Sequence, residues 1–142
     1  MSVSYYIDIK LNAEFSKKNI MHFLKKAEDF GFVYFDQIPG ERYLDARTLD
    51  SNEAYEKLLN PGYDDIGPYL LVKFEDTYFD LSFYSENAKL DIHLGNFSCE
   101  WEKTFHLVEQ NEILIDFARY IRMLLKICSD FVILDLSTEI EP

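Results

Sequence analysis

The chain has 142 residues, enough to bury a core in one domain without disulfides or metals. Its 26 acidic against 14 basic side chains leave a formal charge of −12. That balance argues against direct binding to nucleic acid or to an anionic membrane, both of which need a basic patch.

Residues 3–11 alternate, with Val3, Tyr5, Ile7, Ile9 and Leu11 set against Ser4, Tyr6, Asp8 and Lys10, which predicts a strand. A helix follows. Ser16 has N-cap chemistry, Ile20, Phe23, Leu24, Ala27 and Phe30 trace an apolar stripe, and Gly31 supplies a left-handed stop. Lys17 and Lys18 oppose the helix dipole, which a nearby acid such as Glu14 can offset. Residues 32–38 predict a second strand, closed by Pro39-Gly40. The pattern from 41 to 69 is the least regular. Asp50 and Glu53 have capping-box spacing for a short helix through Leu59, which Asn60-Pro61-Gly62 ends. Residues 63–68 have the turn chemistry of an exposed loop.

The centre reads as a meander. Residues 69–75 predict a strand and Asp76-Thr77 a tight turn. Over 78–85, Phe79, Leu81 and Phe83 point one way and Tyr78, Asp80, Ser82 and Tyr84 the other. After a turn at Asn87-Ala88-Lys89, Leu90, Ile92 and Leu94 alternate with Asp91 and His93. Residues 97–105 predict a further strand with Trp101 near its middle. A second long helix is expected over 111–129, with Ile113, Phe117, Ile121, Leu124, Leu125 and Cys128 as its core stripe. Glu112 and Asp116 lie early in it, and Arg119, Arg122 and Lys126 late, which suits the dipole. Residues 131–136 close the chain as a strand buried on both faces at its start. The expected fold is a single α+β domain over 1–142. It has a largely antiparallel sheet of about six to seven strands with two long amphipathic helices packed on one face.

Motifs for chemistry are missing. His22, His93 and His106 have no metal-ligand spacing, and His22, beside the first helical stripe, reads as structural. Cys128 lies on a core-facing stripe and should be inert, while Cys99 is followed by Glu100, which raises rather than lowers a thiol pKa. The cysteines read as a reduced pair in a cytoplasmic protein, with a Cys99–Cys128 bridge as the alternative. There is no nucleophile elbow, and the five glycines leave no phosphate loop. No apolar run approaches the ~18 residues of a membrane span, and the first residues show no secretory signal. The expectation is no cofactor, no metal and no catalytic motif.

Two surfaces suggest binding. The polar face of the meander sets Tyr78, Asp80, Ser82 and Tyr84 beside Asp91 and His93, and tyrosine supplies contact area at low entropic cost. The plainer reading is a solvated sheet face. The second surface is the acidic stretch from Asp36 to Asp65, where Tyr63-Asp64-Asp65 joins an aromatic anchor to two charges. Charge runs are more often simply solvated. The protein-binding candidates are therefore Tyr63, Asp64, Asp65, Tyr78, Asp80, Tyr84, Asp91 and His93.

The opening Ser4-Tyr5-Tyr6-Ile7-Asp8-Ile9, the acidic aromatic meander and the closing Ile115-Asp116-Phe117-Ala118-Arg119-Tyr120-Ile121 helix with its final strand form a recognisable layout. It resembles small bacterial immunity proteins, which neutralise toxins of contact-dependent inhibition and other polymorphic toxin systems. The resemblance is one of size, acidity and order of elements over most of the chain. It implies a non-catalytic inhibitor of a basic partner, a cognate toxin domain, often a nuclease whose nucleic-acid site an acidic protein covers. Two other classes stand beside it. One is a small enzyme using Asp80, Asp91 and His93 as acid–base groups. The other is a self-associating adaptor, present as a homodimer.

Overall fold

The computed structural model describes residues 4–36, 47–59, 69–75, 77–99 and 117–141. They form an α+β fold: β1 Ser4–Glu14, α1 Lys17–Asp29, β2 Val33–Asp36, β3 Arg47–Leu49, α2 Ser51–Leu59, β4 Leu70–Phe74, β5 Thr77–Glu86, β6 Lys89–Cys99, α3 Phe117–Ile127 and β7 Ile133–Glu141. The seven strands make one sheet in the order β3-β2-β4-β5-β6-β1-β7, and every neighbouring pair is antiparallel.

The alternation in the strands is what builds the core. Tyr5, Ile7, Ile9 and Leu11 of β1, Leu90, Ile92 and Leu94 of β6, and Phe79, Leu81 and Phe83 of β5 are all buried in one apolar cluster. Ile20, Phe23, Leu24 and Ala27 of α1 and Tyr120, Met123, Leu124 and Ile127 of α3 join the same cluster, as does Ala54 of α2. Rings dominate its centre: Phe79 lies 5.3 Å from Phe32, 5.2 Å from Phe97 and 6.1 Å from Tyr120, centroid to centroid. Tyr34 is fully buried, so its hydroxyl needs a partner and donates to the Leu24 carbonyl at 2.7 Å. No helix among the described residues is long and apolar enough to cross a membrane.

The caps follow the sequence. Ser16 accepts a hydrogen bond from the Asn19 amide, and Gly31 takes φ +113°, a conformation costly for any residue with a Cβ. In the capping box of α2, Glu53 N–H donates to Asp50 at 2.8 Å and Asp50 N–H donates back to Glu53 at 3.2 Å. Asn87 and Ala88 both adopt positive φ between Glu86 and Lys89, the two-residue hairpin turn that matches strand twist.

Several expectations need correction. Phe30 is the C-cap of α1 and 41% exposed, one turn beyond the buried stripe. At the start of α1 the Asn19 side chain donates to the Glu14 carbonyl, a tie through the Glu14 backbone that the dipole argument did not include. The irregular stretch contains a strand, β3, which pairs with β2. Three residues are too few for alternation to reveal it. Thr77, expected in a turn, is the first residue of β5. The strand expected from residue 97 is the continuation of β6, which runs on to Cys99 past a bulge opposite Tyr78 and Asp80. Trp101 and the expected start of the second long helix lie outside the described residues.

The buried stripe of α3 is Tyr120, Met123, Leu124, Ile127 and Cys128, while Leu125 is 45% exposed. The expected stripe shares Leu124 and Cys128 with the observed one but includes the exposed Leu125 and leaves out the buried Tyr120. β7 was expected to be buried on both faces at its start. Among the described strands it is an edge strand reaching Glu141, with Leu134 and, just before the strand, Val132 exposed.

Candidate functional site

Strand register turns the sequence candidates into a grid on the sheet face opposite the core residues. Ser82 of β5 stands across from His93 of β6, His93 across from Asp8 of β1, and Asp8 across from Ser137 of β7. The next row runs Tyr84, Asp91, Lys10, Asp135. On the other side of the Ser82 row, Asp80 faces Gly95, and the Tyr6 ring lies over that glycine. A Cβ built on Gly95 would meet Tyr6 Cδ1 at 2.8 Å, so the absence of a side chain there is what lets the ring approach the β6 backbone this closely.

His93 sits between two tyrosines, with ring centroids 5.4 Å from Tyr6 and 6.3 Å from Tyr84. Its Nδ1 is 3.8 Å from the Asp8 carboxylate, an ion-pair distance rather than a hydrogen bond. Lys10 reaches past Asp91 to Glu86 at 2.9 Å. Asp91 is thus left with Asp8. Its Oδ1 is buried and finds no hydrogen-bond partner among the described residues. Two carboxylates offer each other only acceptors, so their contact becomes a hydrogen bond when a proton sits between them.

The electrostatics follow from that. Burial first, then the Asp8 carboxyl, pushes Asp91 up to about 7. Burial alone would raise Asp8 too, but its contacts with His93 and Asp91 outweigh it and hold Asp8 below the ordinary carboxylate value. The pair holds one proton that leaves near neutrality. Such a group can give or take a proton in catalysis. It also responds to any cation brought close, because the charged form is then favoured. Beside it lies a cleft of about 200 Å³ lined by Lys10, Glu86, Lys89, Asp91 and Leu134 among others.

Of the expected residues, Tyr84, Asp91 and His93 come together. Asp80 is one same-face step from Ser82, roughly 7 Å along the strand. Tyr78 is farther off, with Lys73 5.5 Å above its ring and Phe35 6.3 Å away. Tyr63, Asp64 and Asp65 lie outside the described residues. Sequence reasoning missed Asp8, Tyr6 and Lys10. They occupy the polar positions of an alternating strand, but only strand order brings that strand beside β6, and no local pattern encodes strand order.

The acidic stretch beginning at Asp36 looks different once side chains are placed. Lys57 bonds Asp36 at 3.0 Å, and Arg47 bonds Glu53 at 2.7 Å while lying 3.5 Å from Asp36. Among its described acids, Asp36 and Glu53 are engaged locally, each held below the usual carboxylate range by those bases. His22 bonds Asp130 at 2.9 Å and meets Phe131 edge-on, as a structural histidine would. Cys128 is a buried free thiol that burial pushes up to about 12. Among the described residues, no group of three or more His, Cys, Asp or Glu is placed to hold a metal ion. Comparison with protein-family models, with curated proteins and with solved structures gives no match.

Proposed function

We propose that the chain is a protein-binding module whose tyrosine-bearing acidic sheet face takes a basic protein surface. We further propose that it acts as an immunity-type inhibitor, neutralising a cognate toxin domain by covering it, without catalysis and in the cytoplasm. In this reading the two long amphipathic helices pack on one face of the sheet and leave the other to the partner. The observation that carries it is the cluster of Tyr6, Tyr84 and His93 rings among Asp8, Asp80, Asp91 and Glu86 on one rigid grid. Aromatic anchors give affinity there, and the surrounding carboxylates give rate and selectivity toward a basic partner.

The proposal requires a toxin domain encoded near this gene, and the test is coexpression with it; a neighbourhood without one sinks the proposal. A stoichiometric complex and protection of the host cell are expected. Tyr84→Ala is expected to weaken the complex about tenfold or more. Binding should strengthen as pH rises through about 7, where Asp91 loses its proton. No complex and no protection would sink the proposal.

A second reading, an acid–base enzyme, is favoured by one observation: a carboxyl poised near neutrality beside an imidazole and a cleft. Asp91 would then be the proton donor. Under that reading Asp91→Asn abolishes turnover in a substrate screen. Under the first it changes only the pH dependence of binding.

A further inference from the structure

The two edges of the sheet are unlike. β3 is three residues long, and its Arg47 is tied to Asp36 and Glu53. β7 is nine residues long, and its only neighbour among the described strands is β1. An edge presents a row of unpaired backbone donors and acceptors, and proteins blunt such edges with shortness, charged side chains (lysine above all), proline or bulges. The charges of β7 are all acidic, so they repel an acidic strand and not a basic one. Between Ile133 and Glu141 there is no lysine, proline or glycine. The one irregularity lies at its start, where Lys10 pairs with Asp135 and Leu11 with Ile133. From Ser137 to Ile140 every residue is exposed, although all four are paired to β1 on the inner side.

The side chains say what would fit. Asp135 and Glu139 project on the face of Lys10 and Tyr6, their cross-strand neighbours. Leu136 and Ile140 project on the other, with Ile140 49% exposed. Neither acid has an ion pair among the described residues, since Lys10 is turned away to Glu86. A second copy of this strand is a poor occupant. The full-length antiparallel pairing, centred on Ser137, sets Asp135 of one copy across from Glu139 of the other at both ends of the pair. Like charges directly opposite destabilise a strand pair.

We propose that the outer edge of β7 is a docking surface that adds one strand: an extended segment of a partner protein in which basic and apolar residues alternate. The backbone ladder holds the segment, its basic residues meet Asp135 and Glu139, and its apolar residues cover Leu136 and Ile140. The edge adjoins the sheet face that carries Tyr84 and His93, with Asp135 and Ser137 in the same cross-strand rows, but the added strand needs no occupant on that face and is tested independently of it.

The probe is a synthetic peptide as long as β7 in which lysine alternates with valine. Its controls are the same composition in two blocks and a peptide alternating glutamate with valine. With the full chain, the alternating lysine peptide should slow amide exchange in β7 at every second residue, those whose N–H groups point outward, by roughly tenfold or more. The block peptide should protect less. The double substitution Asp135→Lys with Glu139→Lys lies on the exposed edge, and folding can be checked by circular dichroism. It should reverse the preference to the glutamate peptide. The proposal is overturned if β7 gains no protection, or if blocked and alternating peptides protect equally. It is also overturned if protection depends on protein concentration without peptide, which would make the occupant a second copy. Protection confined to residues around Tyr84 and His93 would overturn it while leaving the sheet-face reading intact.

Discussion

The two faces of β5 use the same backbone and answer to different physics. Phe79, Leu81 and Phe83 are buried on one side, while Asp80 and Tyr84 stand with the buried Ser82 on the other. On the core face each residue contributes through area removed from water, a non-directional effect that tolerates repacking. On the polar face the contributions are pairwise. Lys10 serves Glu86, His93 serves Asp8, and Asp91 depends on a proton. The core face should therefore hold most of the stability, and the polar face most of the sensitivity to pH and partner.

The largest expected effect lies on the core face. Phe79→Ala removes a fully buried ring that touches Phe32, Phe97 and Tyr120. Unfolding in urea should show a loss of about 3–5 kcal/mol. A loss comparable to that of an exposed residue would mean that the ring cluster is not the centre of the core.

Gly95→Ala comes next, and it tests whether the polar face has packing of its own. The new methyl would meet the Tyr6 ring at 2.8–3.0 Å and His93 Nε2 at 3.2 Å. The ring must swing away, with an expected cost of about 1–3 kcal/mol. Adding Tyr6→Ala should recover part of that loss, a coupling that a double-mutant cycle measures directly. Purely additive losses would show that the contact carries no energy.

That pair also marks the limit of what the sequence makes legible. Alternation within one strand identified the buried residues of β1, β5 and β6, because burial depends on which side a residue faces and not on which strand lies beside it. The caps at Ser16 and Asp50 were legible because their partners lie three residues away. Tyr6 and Gly95 are 89 positions apart, and Asp8 is 85 from His93. Those neighbours follow from β1 being inserted between β6 and β7, a long-range choice that no window of residues contains. The phase of α3 depends on neighbours of the same long-range kind: Tyr120 is buried against Phe74, Phe79 and Phe97, contacts that the helix's own periodicity does not contain.

Asp91→Asn is expected to have a smaller and pH-dependent effect. The folded value of Asp91, about 7, is above that of an unfolded carboxyl, so the folded state holds the proton more tightly. Its stabilising contribution is complete below about pH 4 and is lost as pH rises through about 7. Asp8, held low, works in the opposite sense and loses its contribution as pH falls. The asparagine amide can donate to Asp8 at every pH, so the variant should gain on the order of 1 kcal/mol at pH 8 after solvent screening. The gain should vanish by about pH 3, where Asp91 is protonated in folded and unfolded chains alike. Melting temperatures across that range check the slope, and an unchanged slope would show that the two carboxyls do not share a proton.

Tyr84→Ala should change stability least and divides the two faces most sharply. Tyr84 is 52% exposed and meets His93 only edge-on, at 6.3 Å between centroids. Truncation leaves no cavity and no buried group unpaired, so the stability change should stay within about 0.5 kcal/mol. A ring that contributes little to the fold yet stays exposed on a rigid strand costs little entropy to bury against a partner. Undiminished stability together with about tenfold weaker binding would assign Tyr84 to recognition. A loss of stability approaching that of Phe79→Ala would instead mean that the polar face is held together much as the core is, and the division drawn between the faces would fail.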